Sequence, residues 1–462
     1  MPRENISLGT VKENAEEVAS VMRDLRRWLH RHAKPAFEEQ LTVAMICYVL
    51  TKVALQPEKL TKGGLSPEEL TEVGQHLQEL IERGLKPREL TEVFTDMGLQ
   101  PEKLTEVGLR PEVRKGSKGS WWMTCDVGPE DAPIVAAFRA DMDALPFEDP
   151  KDVPYRSTTG ATHACGHDVH TSIMLGVALT MAALHRQGLL KRRFRFLFQH
   201  AEEKGRGAKD LIKAGVVDGV PMVLGGHCDP SLDVGRFGLV EGPITSSVCE
   251  VDITLTGPGG HTSRPHETTD LMLVQAHVLL ALQSLKIDPR KGYSLVFGEI
   301  ELPGGSARNV IPGKVTLRGT LRALERETEP EVIGEIRRVV RRTAKAHGAR
   351  YKIRIKPLLP PTVNDAECIA LLRRAVPLTH GEAAVASTRQ SLGGDDFALY
   401  GELAKIAYIR VGVCPPGGKA PDLHTELFDV ADDLEVIKGA IEVFTAAGLE
   451  VAGTPVRPAV PV

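Results

Sequence analysis

The sequence predicts an α/β protein, a mixed-sheet main domain carrying an inserted ferredoxin-like βαββαβ domain. Two observations predict it. Three apolar runs each deliver an acid or a histidine at the carboxyl end, as strands of an open α/β sheet do beside a crevice. From about residue 246 the pattern changes to strict alternation, with strands and helices in the order βαββαβ. The 462 residues suffice for two domains with cores of their own.

Along the chain, "AEEVASVMRDLRRWLHRH" places Val18, Val21, Met22, Leu25, Trp28 and Leu29 on one helical face. A second helix is expected over Leu41 to Val53. Prolines at 57, 67, 87, 101 and 111 then open similar phrases such as "PEELTEVG" and "PEKLTEVG", an internal repeat of short helices. Ser66 with Glu69 forms a capping pattern. Leu70, Val73, Leu77, Leu80 and Ile81 form a stripe, with Gly84 as a stop. This insertion, 55–108, reads as a surface excursion that the host tolerates, with a partner-docking or oligomer-modifying role as the alternative. The three apolar runs follow. "APIVAAFRADMDALP" ends at Asp141 and Asp143. "KRRFRFLFQHAEE" alternates Phe194, Phe196 and Phe198 and ends at Glu202 and Glu203. "PMVLGGHC" ends at His227. The expected domains are 1–245 and 358–462, forming the main domain, and 246–357, the inserted one.

Composition narrows the function. Net charge is −4, from 57 basic and 61 acidic residues, which gives no case for nucleic acid or an anionic membrane as partner. No apolar run reaches the roughly 18 residues that span a bilayer. The N-terminal stretch lacks the apolar core of a secretory leader. Seven irregularly spaced cysteines fit a reduced, cytoplasmic chain. A small-molecule substrate is the expected partner.

"THACGHDVHTS", 162–172, concentrates metal-binding side chains. Together with the strand ends, the candidate ligands are Asp141, Asp143, Cys165, His167, Asp168, Glu202, Glu203, His227 and His424. Imidazole, thiolate and carboxylate suit a borderline transition metal. In extended backbone, Cys165 and His167 would point to the same face. Of two adjacent acids, one can bind metal while the other serves as a base, the division metal-assisted hydrolysis needs. Each group alone also has a bland reading as a solvated or structural side chain. His30, His32, His76, His185, His277, His347 and His380 are read as structural. Cys165 as a covalent nucleophile, with His167 as its base, is a further reading.

"RADMDALP", "HACGHDVHT", "QHAEE", "GPGGHTSRPH", "NVIP", "GGDDF" and "LHTELFD" resemble, in this order, the motifs of the metal-dependent amidohydrolases. These include N-acyl-amino-acid deacylases, hippurate hydrolases and auxin-conjugate hydrolases, within the aminoacylase/carboxypeptidase-type metallopeptidases. The resemblance covers about 20–54 and 109–447; residues 55–108 have no counterpart in it. It implies a metallopeptidase catalytic domain, an inserted lid domain that dimerises, and two divalent metal ions (Mn, Zn, Co or Ni). It implies metal ligands Cys165, His167, Glu203, His227 and His424, Glu202 as general base, and Asp143 orienting a ligand. His261 would stabilise the oxyanion and Asn309 would bind substrate. The implied reaction is hydrolysis of the amide bond of an N-acyl amino acid or conjugate by a metal-bound hydroxide. A dipeptidase or carboxypeptidase with the same machinery, and a non-catalytic binding protein on the same fold, are the rivals. Departures include His200 where the family has proline, and "HAKPAFEE" in place of "HPELSFEE"; neither touches an inferred ligand.

Overall fold

The computed structural model describes residues 6–57, 65–288, 290–303, 307–454 and 456–457. The chain forms two compact units, one of Met1–Gly242, Asn364–Thr388 and Leu399–Val462, the other of Pro243–Val363 and Arg389–Ala398. Among the described residues no helix is long and apolar enough to cross a membrane.

The first unit is built on an eight-stranded mixed sheet. Its order is Val385–Ala386, Phe237–Gly238, Lys405–Cys414, Met222–Asp233, Ile134–Asp141, Arg193–Gln199, Trp121–Val127 and Leu109–Lys115. The third to sixth of these run parallel, so their carboxyl ends share one edge. The last two turn antiparallel. Phe194, Phe196 and Phe198 are fully buried and share one face of the sheet. Helices Leu8–Arg31, His167–Arg186 and Asp433–Val451 pack against one another and complete the core. Two strand expectations need correction. The run through His227 does not end there but continues to Asp233, and the phenylalanine strand stops at Gln199, before the two glutamates.

The repeat insertion belongs to this unit, and its first phrase lies largely outside the described residues. Pro67–Glu82 is a helix that begins at Ser66, whose hydroxyl accepts from the Glu69 amide at 3.1 Å. Pro87–Glu89 leads into Leu90–Asp96, and Pro101–Val107 forms a 3-10 turn. Leu70, Leu77, Leu90, Phe94 and Leu104 are buried in the same cluster as the host core. Gly74 lies so close to Trp28 that a Cβ would sit 2.3 Å from the indole. The insertion is therefore part of the core and not a surface excursion, because its apolar stripe is covered by host helices.

The second unit has the order βαββαβ: Ser247–Thr256, Leu271–Leu282, Tyr293–Glu301, Lys314–Ala323, Thr328–Ala346 and Arg350–Leu359. Its four strands are antiparallel, in the spatial order Tyr293–Glu301, Lys314–Ala323, Ser247–Thr256, Arg350–Leu359. Cys249, Val251, Ile253 and Leu255 alternate into a separate core beneath the two helices, the pattern of a sheet covered on one face.

Candidate active site

The parallel strands of the first unit deliver their loops to one edge, and most of the candidate residues meet there. Asp141 ends the Ile134–Asp141 strand, and Asp143 follows in the next loop. Cys165 and His167 do converge, but not through extended backbone. Gly166 is left-handed (φ +80) and His167 opens the His167–Arg186 helix, so a tight turn brings the two side chains together. A Cβ at Gly166 would meet Cys228 Sγ at 2.7 Å, which makes glycine doubly required.

Three groups of donor atoms interlock: Cys165, His167 and His227; Cys165, Glu203 and His424; His167, Glu202 and Glu203. Within each group the atoms lie within 4.8 Å of one another. Cys165 Sγ is 3.3 Å from both His227 Nε2 and His424 Nε2. His424 Nε2 is 3.5 Å from Glu203 Oε1, and its side chain is 53% exposed, so the cluster opens to solvent on that side. His424 itself is left-handed (φ +60), with its amide donating to Ala164 O at 2.8 Å.

The histidine orientations test whether a cation fits. His227 Nδ1 lies 2.8 Å from Cys228 O, and His167 Nδ1 lies 3.3 Å from Asp143 Oδ1. Each ring thereby turns Nε2 toward the cluster, and at His227 the outer carbonyl fixes the tautomer as for a metal-ligating imidazole. His167 Nε2 is buried without a hydrogen-bond partner and lies 4.0 Å from Glu202 Oε2 and from Glu203 Oε1. Soft, borderline and hard donors converge, and a divalent transition metal suits the set.

Electrostatics agree. Burial opposes a charge on His167, yet Asp141, Cys165 and Asp143 hold its pKa well above the ordinary value. Burial, then His170 and Arg410, push His227 well below its own. Burial pushes the Cys165 thiol up, which disfavours the reading of Cys165 as a free nucleophile, since nucleophilic cysteines have lowered pKa values.

Glu202 and Glu203 lie in a 3-10 turn just after the phenylalanine strand. Their amides donate to Asp143 Oδ1 and Oδ2, both at 3.0 Å, so Asp143 touches His167 and the glutamate turn together. Ala201, which precedes them, is left-handed (φ +48), at a cost of about 1–2 kcal/mol for a residue with a Cβ. Its amide donates to Glu39 Oε1 at 2.8 Å. Glu39 is fully buried, and burial and the Asp143 charge push it up to about 8.

Sequence reasoning missed Glu39 and His170. His170 Nδ1 lies 2.7 Å from Asp141 Oδ1, and its Nε2 accepts from the Cys228 amide at 2.9 Å. Its spacing from His167, one turn along a helix, was the available signal. Glu39 falls where "HAKPAFEE" and "HPELSFEE" agree, but its type alone gave no role, because its partner is a backbone amide far along the chain. His200, the other departure, is fully buried. Its Nδ1 is 2.7 Å from Ser120 Oγ and its Nε2 3.4 Å from Asp210 Oδ2. Asp168 joins a different cluster, bonded to His30 and Arg26. In the second unit, His261 pairs with Val310 across two short antiparallel strands, and the Thr262 amide donates to Asn309 O at 3.1 Å. Both His261 and Asn309 are exposed.

Residues 137–449 match the family model for Peptidase family M20/M25/M40. An N-acetylcysteine deacetylase of Bacillus subtilis (strain 168) is 36% identical over 294 residues, 62% of this chain and 74% of that one. A Rhodococcus jostii (strain RHA1) protein named as a glutamate–cysteine ligase is 36% identical over 345 residues. That match takes in 74% of this chain but spans 42% of the relative's length. The crystal structure of a Bacillus subtilis protein, described as a dinuclear metal-binding peptidase, is similar with a TM-score of 0.70 at 25% identity. The likeness covers 95% of this chain and 99% of that one.

Proposed function

The chain belongs to Peptidase family M20/M25/M40, and from that premise we propose that it hydrolyses the amide bond of N-acyl amino acids or related conjugates. The observation that carries this is the convergence of Cys165, His167, Glu202, Glu203, His227 and His424 at one edge of a parallel sheet. The deacetylase relative supports the substrate class.

Cys165, His167, Glu203, His227 and His424 would hold two divalent ions, from among Mn, Zn, Co and Ni. Bound there, such ions polarise a carbonyl oxygen and lower the pKa of a water. The residues do the rest. Glu202, beside the ligands but not counted among them, takes the proton of the attacking water and returns it to the leaving amine. Asp143 fixes His167 and the glutamate turn in one register. His261 supplies a donor to the developing oxyanion, and Asn309 contributes to substrate binding. The domains expected from the sequence, 1–245 with 358–462, and 246–357, act as catalytic and lid domains.

The lid is also the proposed homodimer surface. Met272, Leu273 and Leu280 are exposed on its first helix, and Val296 and Ile300 on its edge strand, large apolar side chains of the kind that an interface covers. Seven free cysteines suit a reduced, cytoplasmic compartment.

The test is a substrate screen on protein loaded in turn with Mn, Zn, Co and Ni. N-acetyl and longer N-acyl amino acids should be cleaved faster than unblocked dipeptides. Faster cleavage of dipeptides would favour the peptidase reading, which the description of the structural relative supports. No hydrolysis with any metal would leave a binding protein.

A further inference from the structure

We propose that Glu39 is a positioning residue that holds the Glu202–Glu203 turn in its working conformation, an inference resting on the reading of Glu202 as the base. Three successive amides of this turn are held by two carboxylates. The Ala201 amide donates to Glu39 Oε1 at 2.8 Å, and the Glu202 and Glu203 amides donate to Asp143 Oδ1 and Oδ2 at 3.0 Å. Asp143 also bears on His167; Glu39 touches no member of the donor cluster and acts through backbone alone. It is rigidly placed. It sits fully buried at the start of the Gln40–Leu55 helix, and its Oε1 also accepts from the Phe37 amide at 3.0 Å.

The geometry explains why a clamp is needed. Ala201 is left-handed, a conformation a residue with a Cβ leaves when nothing holds it. Its φ and ψ set the direction in which the next two Cα–Cβ bonds leave the chain. Without Glu39, the buried Ala201 amide would lose its acceptor, and the turn would be free to relax. The adjacent glutamates would then swing relative to the histidines, and a displacement of about 1 Å costs on the order of 10²-fold in turnover.

The experiment compares the full chain with Glu39→Gln, Glu39→Ala, Glu39→Met and Glu202→Gln. Hydrolysis of an N-acetyl amino acid is followed with cobalt bound, alongside metal content and amide exchange in the metal-free protein over residues 199–206. Glu39→Gln keeps an oxygen acceptor, so kcat should stay within about threefold of wild type, with slow exchange at Ala201. Glu39→Ala should lose about 10²-fold in kcat, with KM and metal content near wild type and exchange at Ala201 at least about tenfold faster. Glu39→Met fills the volume without an acceptor, and replaces Glu39→Ala should the latter not fold. Wild-type exchange at Ala201 in both acceptor-less variants would overturn the clamp, as would equal losses in Glu39→Gln and Glu39→Ala. Wild-type kcat in Glu202→Gln would instead remove the base reading, with exchange still reporting on the clamp.

Discussion

His167 and Asp168 are neighbours in the chain, yet they serve two buried clusters built on opposite terms. Around Asp168, every anion faces a cation or a donor. Arg26 Nε is 2.9 Å from Asp168, Arg26 Nη2 is 2.6 Å from Asp429, and Arg26 Nη1 is 3.6 Å from Asp433. His30 bridges Asp168 at 2.8 Å and Asp149 at 3.2 Å, and Lys151 stands 2.9 Å from Asp149. Around His167, imidazole nitrogens face a thiol and two carboxylates, and the buried His167 Nε2 is left without a hydrogen-bond partner. The first arrangement is closed and binds the first helix to the C-terminal segment. The second is arranged for a positive guest. Proximity and burial alone do not separate a structural cluster from a functional one; the balance of donors against acceptors does.

The largest expected effect tests the open cluster. Glu202→Gln should lose about 10²–10⁴-fold in turnover with metal content unchanged, while Glu203→Gln should bind less metal. Elemental analysis beside steady-state kinetics would reveal an exchange of the two roles. The closed cluster should respond in stability instead. Arg26→Met removes the one guanidinium that Asp168, Asp429 and Asp433 share, leaving them His30, Tyr155 and Arg27 in turn, and removing one partner of a buried pair costs about 3–5 kcal/mol. Urea unfolding measures this. A loss under about 1 kcal/mol would place the network among weak ion pairs and dissolve the contrast.

Much of this was legible in the sequence. The alternation through Phe194, Phe196 and Phe198 marks a buried strand, and period-2 and period-3.6 patterns separate the elements of the second unit. The cluster members were legible as residue types at loop positions, whereas the means of their convergence was not. That depends on Gly166 and Ala201 taking left-handed conformations, and Ala201 carries no sequence signal for it. Glu39 was illegible because its partner is a backbone amide 162 residues away. The insertion was misread for a related reason: amphipathic stripes show that a helix needs cover, not where the cover lies. Gly74→Ala tests this. In an open helix the change stabilises by about 1 kcal/mol; here the Cβ would collide with Trp28, and overpacking should cost about 1–3 kcal/mol. A more stable variant in thermal unfolding would show that Trp28 gives way and the packing is loose.

The closed cluster and the Glu39 carboxyl that clamps the glutamate turn should also answer pH with opposite sign, the smallest effect per unit and the sharpest form of the contrast. Burial opposes ionisation of Asp168, but Arg26 and His30 hold its carboxyl well below the usual carboxylate range. A group depressed on folding contributes stability above its unfolded pKa and loses it as pH falls through the folded value. Glu39 behaves in reverse. Desolvation and the Asp143 charge push it from 4.5 up to about 8 in the metal-free protein. The unfolded chain releases this proton first, so its contribution is full below about 4.5 and is lost as pH rises toward 8. One proton is worth up to about 1.4 kcal/mol per pH unit. Metal-free wild type should therefore lose stability relative to Glu39→Gln between pH 5 and 8, whereas Asp168→Asn should show no such gain on wild type over the same range. Urea midpoints at closely spaced pH values measure both. Parallel curves for wild type and Glu39→Gln would mean that Glu39 ionises freely in the fold, and the acid-against-acid character assigned to its surroundings would be wrong.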